Sequence, residues 1–182
     1  MVSRNNKPHI HNSSTVAETE YFRIERAEIS FSNGERREYE RLFSRGQDAV
    51  MVVPMLNRET VLLIREYAVG TEKYEIVLPK GSIEQGETIL EAANREIMEE
   101  IGYGANKLEF IKSLTIVPGY ISHRTNIVLA EDLYEKRLEP DEPEDIEIIP
   151  WRIADFKLLF ERDDFTESRT IAALSIIKEI LI

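Results

Sequence analysis

The feature that most constrains the fold is one helical segment, residues 87–101, with glycines on both sides and strand-like segments before and after it. Leu90, Ala93, Ile97 and Ile101 recur at helical spacing on one narrow arc, so this face is expected to pack on a core. Strands are predicted at 49–56, 60–65, 74–79, 107–116, 124–131 and 146–151, and further helices at 152–161 and 166–181. This mixture predicts an α/β fold in which a mixed sheet is sandwiched between helices.

The N-terminal part of the chain has a different character. Residues 1–19 are polar and rich in Ser and Asn, so we expect a loose arm there. Asn33-Gly34 separates two alternating segments at 21–31 and 36–43, a strong signal for an antiparallel β-hairpin. We therefore predict an N-terminal arm and hairpin over residues 1–45 and a main domain over residues 46–182.

Composition excludes several classes of function. The chain has no cysteine, which rules out disulfides, thiolate metal sites and a cysteine nucleophile, and which fits the reducing cytoplasm. A net charge of −11 opposes general binding to nucleic acid or to an anionic membrane. We find no membrane-spanning apolar run and no signal peptide, so we expect a cytoplasmic protein. An acidic protein can still bind a phosphorylated ligand through a divalent cation.

Three acids, Glu96, Glu99 and Glu100, cluster at the end of the predicted helix. Like charges four residues apart destabilise a helix, and the helix dipole favours cations at this end. A bound divalent cation would reverse both penalties, whereas a solvated acidic face is the alternative interpretation. The preceding loop, 81–86, has phosphate-loop glycine spacing, but a glutamate follows it where a phosphate-binding lysine belongs.

Residues 81–103 decide between these interpretations. They consist of Gly81, five residues, Glu87, seven residues and then the run Arg95-Glu96-Ile97-Met98-Glu99-Glu100-Ile101-Gly102-Tyr103. This pattern resembles the Nudix box, G-x5-E-x7-R-E-U-x-E-E-x-G-U, where U is aliphatic. Every fixed position matches, and Tyr103 in the last aliphatic position is the one departure. The chain thus resembles Nudix hydrolases, which implies a Nudix fold, with residues 46–182 as a metal-dependent catalytic domain.

The resemblance assigns roles to the box residues. It implies that Glu96 and Glu100 bind the metal and that Glu99 either binds it or orients the attacking water. The carbonyl of Lys80 is a further candidate ligand. An all-oxygen ligand set suits Mg²⁺ or Mn²⁺. Arg95 is expected to orient the carboxylates.

Glu87 is expected to pair with Arg95. Outside the box, the segment 65–70 is similar to the branch of the family that hydrolyses ADP-linked compounds. Pro118 and Tyr120, sixteen and eighteen residues after the last box glycine, are similar to substrate-binding positions of that family.

The same resemblance suggests residues for the chemistry beyond the metal. In the ADP-ribose branch the general base can come from a distant acidic loop, and the matching loop here is 139–145. Glu144 matches best and Glu142 next, although an ordinary acidic surface loop is the alternative. Arg65 is a candidate phosphate contact, and Glu75 is a candidate nucleotide contact.

The resemblance implies release of AMP from ADP-ribose, diadenosine polyphosphates or reduced NAD. Three alternatives stay open: a non-catalytic nucleotide-sensing module, another nucleoside diphosphate linked to a second group, and a nucleotide cap on RNA. The implied partners are a nucleotide substrate and a second copy of the chain. In a homodimer, residues Phe22–Arg26 of the hairpin would approach the substrate of the partner, whereas in a monomer the hairpin would fold back on its own domain.

Overall fold

The computed structural model describes residues 7–44, 48–140 and 143–181. In chain order the elements are β1 (His9–Glu18), β2 (Phe22–Ser30), β3 (Arg36–Ser44), β4 (Ala49–Pro54), β5 (Thr60–Ala68), β6 (Lys73–Val77), β7 (Lys80–Ser82), α1 (Ile89–Glu100), β8 (Tyr103–Thr115), β9 (Ile121–Ser122), β10 (Arg124–Glu135), β11 (Glu147–Arg152), a 3-10 helix (Ile153–Glu161) and α2 (Ser168–Leu181). The chain forms two compact units. The first unit comprises Met1–Gln47 and Thr115–His123, and the second comprises Asp48–Leu114 and Arg124–Ile182.

The first unit is a four-stranded sheet in the order β1-β2-β3-β9. The predicted hairpin is present as β2 and β3, and Gly34 takes the positive φ of 84° that its turn requires. The loose arm predicted for residues 1–19 is wrong over His9–Glu18, which pairs antiparallel with β2 as a third strand. Every residue of this strand is exposed, so no apolar alternation in the sequence marks it as a strand.

The second unit contains two sheets, in the orders β7-β4-β10-β8 and β11-β5-β6. Strand β4 is parallel to β10 and antiparallel to β7, so the sheet is mixed as predicted. Successive side chains of β4 enter two separate core clusters. Val50 and Val52 pack with the apolar face of α1, whereas Met51 and Val53 pack with α2 and the 3-10 helix. Helices therefore cover both sides of the sheet, which confirms the predicted α/β sandwich.

Helix α1 carries its own start and stop signals. The Thr88 hydroxyl accepts a hydrogen bond from the Glu91 N–H, and the Glu91 carboxylate accepts one from the Thr88 N–H, which forms a capping box. After the helix, Gly102 takes a positive φ of 73°. The predicted helix is confirmed, but Leu90 is 37% exposed rather than buried. The buried face is instead formed by Ala92, Ala93, Glu96, Ile97, Met98 and Glu100.

The segment predicted as a helix at 152–161 is a 3-10 helix. Its apolar contacts explain the difference, because Ile153, Phe156 and Leu159 recur every three residues and all pack on the same core cluster. No helix in the described part of the chain is long and apolar enough to cross a membrane.

Candidate active site

Two acids of the box, Glu96 and Glu100, lie on the face of α1 that meets β7, at Gly81 and at Lys80. Ala92, Glu96 and Glu100 follow one another at four-residue spacing, so they share a stripe of the helix. Glu96 is only 6% exposed and Glu100 only 5%. A solvated acidic face is therefore excluded for these two residues, and their charges need a specific partner.

The first glycine of the box is required by one of these acids. A Cβ at Gly81 would lie 2.1 Å from Oε1 of Glu96 and 2.2 Å from its carboxyl carbon. Only glycine leaves room for that carboxylate at this position. Strand β7 and helix α1 are thus fitted together where the Glu96 side chain meets the backbone of β7.

Arg95 holds the acidic side chains around it. Its Nε and Nη2 donate to the two carboxylate oxygens of Glu87 at 2.8 and 3.1 Å. Its Nη1 donates to Glu96 at 2.8 Å and to Glu99 at 2.9 Å. Nη2 also donates to the Ser82 carbonyl at 2.9 Å. The expected contact between Arg95 and Glu87 is therefore present, and this hydrogen bond holds the pKa of Glu87 below its usual range.

The pKa of Glu100 is strongly perturbed. Its Oε2 accepts a hydrogen bond from the Lys80 backbone N–H at 3.0 Å. The pKa of Glu100 is raised to about 9; burial is the largest cause, the charges of Glu96 and Glu66 also raise it, and Lys80 lowers it. The Lys80 ammonium is itself ion-paired with Glu66. The positive charge near Glu100 thus does not compensate for its burial, and the carboxyl keeps its proton at neutral pH.

The oxygen donors of this region are of the chemical type that a divalent cation prefers. Within residues 7–44, 48–140 and 143–181, no three acidic or histidine side chains converge around one point; Arg95 binds both Glu96 and Glu99. Glu96 and Glu100 are nevertheless two buried acids, and the charge of Glu96 opposes ionisation of Glu100. All-oxygen donors of this kind are those that Mg²⁺ and Mn²⁺ prefer, and a cation would reverse this effect.

A cavity of about 500 Å³ lies between the β5–β6 hairpin and residues 143–147. Its lining includes Arg65, Glu66, Tyr67, Tyr74, Glu144 and Glu147. We call it the β5–β6 cavity. It brings together Arg65 and Glu144, two residues that the sequence analysis proposed separately.

Both residues have partners in the cavity wall. Arg65 donates to Glu147 at 2.8 Å and to Asp164 at 2.7 Å. Glu144 accepts hydrogen bonds from the Tyr74 hydroxyl at 3.0 and 3.1 Å. The cavity wall therefore carries both an anchored cation and an anchored carboxylate.

The structure places the other candidates elsewhere. Glu75 is buried and accepts hydrogen bonds from the Thr166 N–H at 3.2 Å and from its hydroxyl at 3.0 Å, so it does not line the β5–β6 cavity. Pro118 and Tyr120 lie in the first unit, where both are exposed. Glu142 lies outside the described residues.

Sequence reasoning missed Tyr74 and Glu66 as lining residues. The available signal was the pairing of Tyr74 with Tyr67 across the β5–β6 hairpin, where the two residues lie directly opposite each other. That pairing requires β5 to continue to Ala68, whereas the apolar run on which the prediction was based ends at Ile64.

Comparison with known proteins agrees with this geometry. A model described as the NUDIX domain matches residues 45–174, and one described as the NudE-type Nudix hydrolase N-terminal domain matches residues 8–41. The chain is 48% identical over 175 residues to the ADP compounds hydrolase NudE of Escherichia coli (strain K12), which covers 96% of this chain and 94% of that protein. It is 29% identical over 128 residues to the ADP-ribose pyrophosphatase of Bacillus subtilis (strain 168), which covers 69% of each.

A solved structure gives the same result. The fold matches the crystal structure of an ADP compounds hydrolase with a TM-score of 0.88 and 48% identity, covering 97% of this chain and 95% of that one. The matches extend over both units, and the box residues surround a single cluster of buried acids. On this evidence the chain belongs to the Nudix hydrolase family and is of the NudE type.

Proposed function

We propose that this chain hydrolyses the pyrophosphate linkage of ADP-linked compounds and releases AMP. Its substrates are ADP-ribose, diadenosine polyphosphates or reduced NAD. The observation that carries the proposal is the pair of buried acids, Glu96 and Glu100, packed against the backbone of β7 at Gly81. The similarity to an ADP compounds hydrolase over 96% of this chain supports the same class of substrate.

The reaction requires a divalent cation, either Mg²⁺ or Mn²⁺. The carboxylates of Glu96 and Glu100 would hold it, with Glu99 and the Lys80 carbonyl as further candidate ligands. When bound, such an ion neutralises phosphate charge and polarises the attacking water. Arg95 orients the carboxylates that it contacts.

The residues of the β5–β6 cavity perform the remaining chemistry. Glu144 is the general base that takes a proton from the attacking water. Arg65 supplies positive charge to the substrate phosphates from the same cavity wall. Glu75 supports this wall through the hydrogen bond that its buried carboxylate accepts from Thr166. Pro118 and Tyr120 stay predicted substrate contacts.

Product analysis tests the proposed function. The full chain is incubated with ADP-ribose, reduced NAD and diadenosine triphosphate, each with Mg²⁺ and each with excess chelator, and the products are separated by chromatography. We expect AMP from at least one compound with Mg²⁺ and none with chelator. Nucleotide binding without turnover would favour a sensing module, and faster turnover of nucleoside triphosphates would contradict the preference for ADP-linked compounds.

We also propose that the chain is a homodimer that associates through the first unit. Phe22 and Ile24 lie on the same side of β2, and they are 50% and 36% exposed. Large apolar side chains exposed side by side on a strand are suited to an isologous interface. Residues Phe22–Arg26 would then approach the substrate bound by the partner.

A further inference from the structure

The Glu144 carboxylate is held by a side chain that the sequence analysis did not consider. The Tyr74 hydroxyl donates to Glu144, with distances of 3.0 Å to Oε1 and 3.1 Å to Oε2. Glu144 is exposed and lies in a stretch, 143–146, without helix or strand. An exposed carboxylate on such a stretch samples many rotamers unless a partner restrains it. The Tyr74 hydroxyl is a partner that can supply this restraint.

The position of Tyr74 is itself fixed by strand pairing and by a ring contact. It lies on β6 directly opposite Tyr67 on β5, and the two rings meet edge to face with centroids 5.4 Å apart. The strands of the hairpin continue into the buried core at Ile64 and Val77. The hydroxyl is therefore held by regular structure, which positions a partner more precisely than a loop does.

Two contacts connect the β5–β6 cavity to the acids of α1. Glu66 lines the same cavity and is ion-paired with Lys80. The backbone N–H of Lys80 in turn donates to Glu100 at 3.0 Å. Glu66 and Lys80 thus connect the wall of the cavity to Glu100 through an ion pair and a backbone hydrogen bond.

We infer that Tyr74 is a positioning residue, whose hydroxyl holds the Glu144 carboxylate at the cavity wall so that it can accept a proton from the attacking water. This inference rests on the proposed function. One hydrogen bond from Tyr74 leaves lone pairs of both carboxylate oxygens available to the water. Holding the base in place removes the entropy cost of orienting it during the reaction.

Another possible role for Tyr74 is to stack on a nucleobase with its half-exposed ring. The two roles differ in which part of the side chain matters. Removal of the hydroxyl alone in Tyr74→Phe impairs a positioning residue but spares a stacking one. Removal of the ring in Tyr74→Leu weakens substrate binding only if the ring stacks.

The test measures kcat and KM for ADP-ribose with Mg²⁺ in the full chain. The variants are Tyr74→Phe, Tyr74→Leu, Glu144→Gln and the double variant Tyr74→Phe with Glu144→Gln. Tyr134→Phe, a tyrosine of the same unit that does not line the cavity, is the matched control. We expect Tyr74→Phe to lower kcat about tenfold with KM changed less than about twofold. Tyr134→Phe is expected to match the wild type.

The double variant separates positioning from an independent effect. If Tyr74 acts through Glu144, the hydroxyl has nothing left to position once the base is gone, so Tyr74→Phe lowers kcat no further in Glu144→Gln. A wild-type kcat in Tyr74→Phe, whether or not Tyr74→Leu raises KM, would overturn the inference and leave the proposed function in place. An equal loss of kcat from Tyr74→Phe in the wild-type and Glu144→Gln backgrounds would do the same. A wild-type chain that releases no AMP overturns the proposed function and the inference with it.

Discussion

The carboxylate of Glu96 fills the space that a side chain at residue 81 would need, since a Cβ on Gly81 would lie 2.1 Å from Glu96 Oε1. The glycine and the glutamate of the box thus form one structural unit, although fifteen positions separate them. The glycine lets β7 approach α1 closely enough for a buried carboxylate to lie against the strand backbone. A side chain added at residue 81 should therefore displace the Glu96 carboxylate.

Gly81→Ala is expected to displace the Glu96 carboxylate while leaving the fold intact. The clash involves the end of a flexible side chain, so the loss of stability is small, whereas the carboxylate leaves its position. We expect Mg²⁺ affinity, measured by titration calorimetry, to fall about tenfold or more. Gly70→Ala is the matched control, because a Cβ at Gly70 has no neighbour within 4 Å among the described residues. Equal Mg²⁺ affinity in both variants would contradict the assignment of Glu96 as a ligand.

Arg95→Lys is expected to disorganise the acids despite keeping the charge. A lysine cannot reproduce the two-pronged contact with Glu87 together with the bonds to Glu96 and Glu99. We expect a loss of about 1–2 kcal/mol in the free energy of unfolding and at least about tenfold in kcat/KM. The control is Arg152→Lys, at an exposed ion pair of 3.9 Å, where urea unfolding is expected to match the wild type. If Arg95→Lys kept the kcat/KM of the wild type, Arg95 would have no part in the reaction.

The stability of the metal-free protein is expected to decrease as the pH rises. Burial raises the pKa of Glu100 to about 9 in the folded chain, against an ordinary value of about 4.3 when unfolded. Between these pH values the folded state keeps a proton that the unfolded state has released, so the contribution of Glu100 to stability is lost with rising pH. Glu100→Gln removes this dependence.

Chemical unfolding in excess chelator at pH 5, 7 and 9 measures the effect. The advantage of Glu100→Gln over the wild type is expected to grow from pH 5 to pH 9. Glu161→Gln, at an exposed glutamate of the second unit, is expected to show a constant difference from the wild type. If the difference in the free energy of unfolding between Glu100→Gln and the wild type did not grow as the pH rises, Glu100 could not be a buried carboxyl without a compensating charge.

The first unit is expected to mediate dimer formation. Light scattering at micromolar concentration is expected to give the mass of two chains for the wild type. The double substitution Phe22→Ser and Ile24→Ser removes the exposed apolar side chains of β2 and is expected to shift the mass toward one chain. Ile180→Ser, equally exposed but in the second unit, is expected to remain dimeric. A single-chain mass for the wild type would rule out the dimer.

The sequence was most informative where the signal is local. Helix α1 follows from the spacing of its apolar residues, and the contact between Arg95 and Glu87 was implied by the resemblance to the Nudix box; both are present. Strand β1 could not be predicted, because all its residues are exposed and its pairing partner rather than its own apolar pattern makes it a strand. Burial of Glu96 and Glu100 also depends on β7, which only the folded chain brings to them.

The β5–β6 cavity depends on contacts between distant positions. Tyr74 and Glu144 are 70 positions apart, and Arg65 and Asp164 are 99 apart. Neither pair has a periodicity or a motif that links its members, so a single sequence offers candidates without showing which of them meet. Glu75 is an example. A glutamate on the strand before the box is a reasonable candidate for a nucleotide contact, but its carboxylate accepts a hydrogen bond from Thr166.

The most direct test of the central claim is AMP release from ADP-ribose by the wild type and Glu100→Gln, each with Mg²⁺ and each with chelator. The account predicts AMP release by the wild type with Mg²⁺ alone, and a loss of at least about 100-fold in kcat/KM for Glu100→Gln, or about 2.7 kcal/mol of transition-state stabilisation. The variant is expected to be folded, as circular dichroism would verify. Near-normal turnover by Glu100→Gln, or turnover by the wild type in chelator, would contradict metal-dependent hydrolysis by the buried acids of α1.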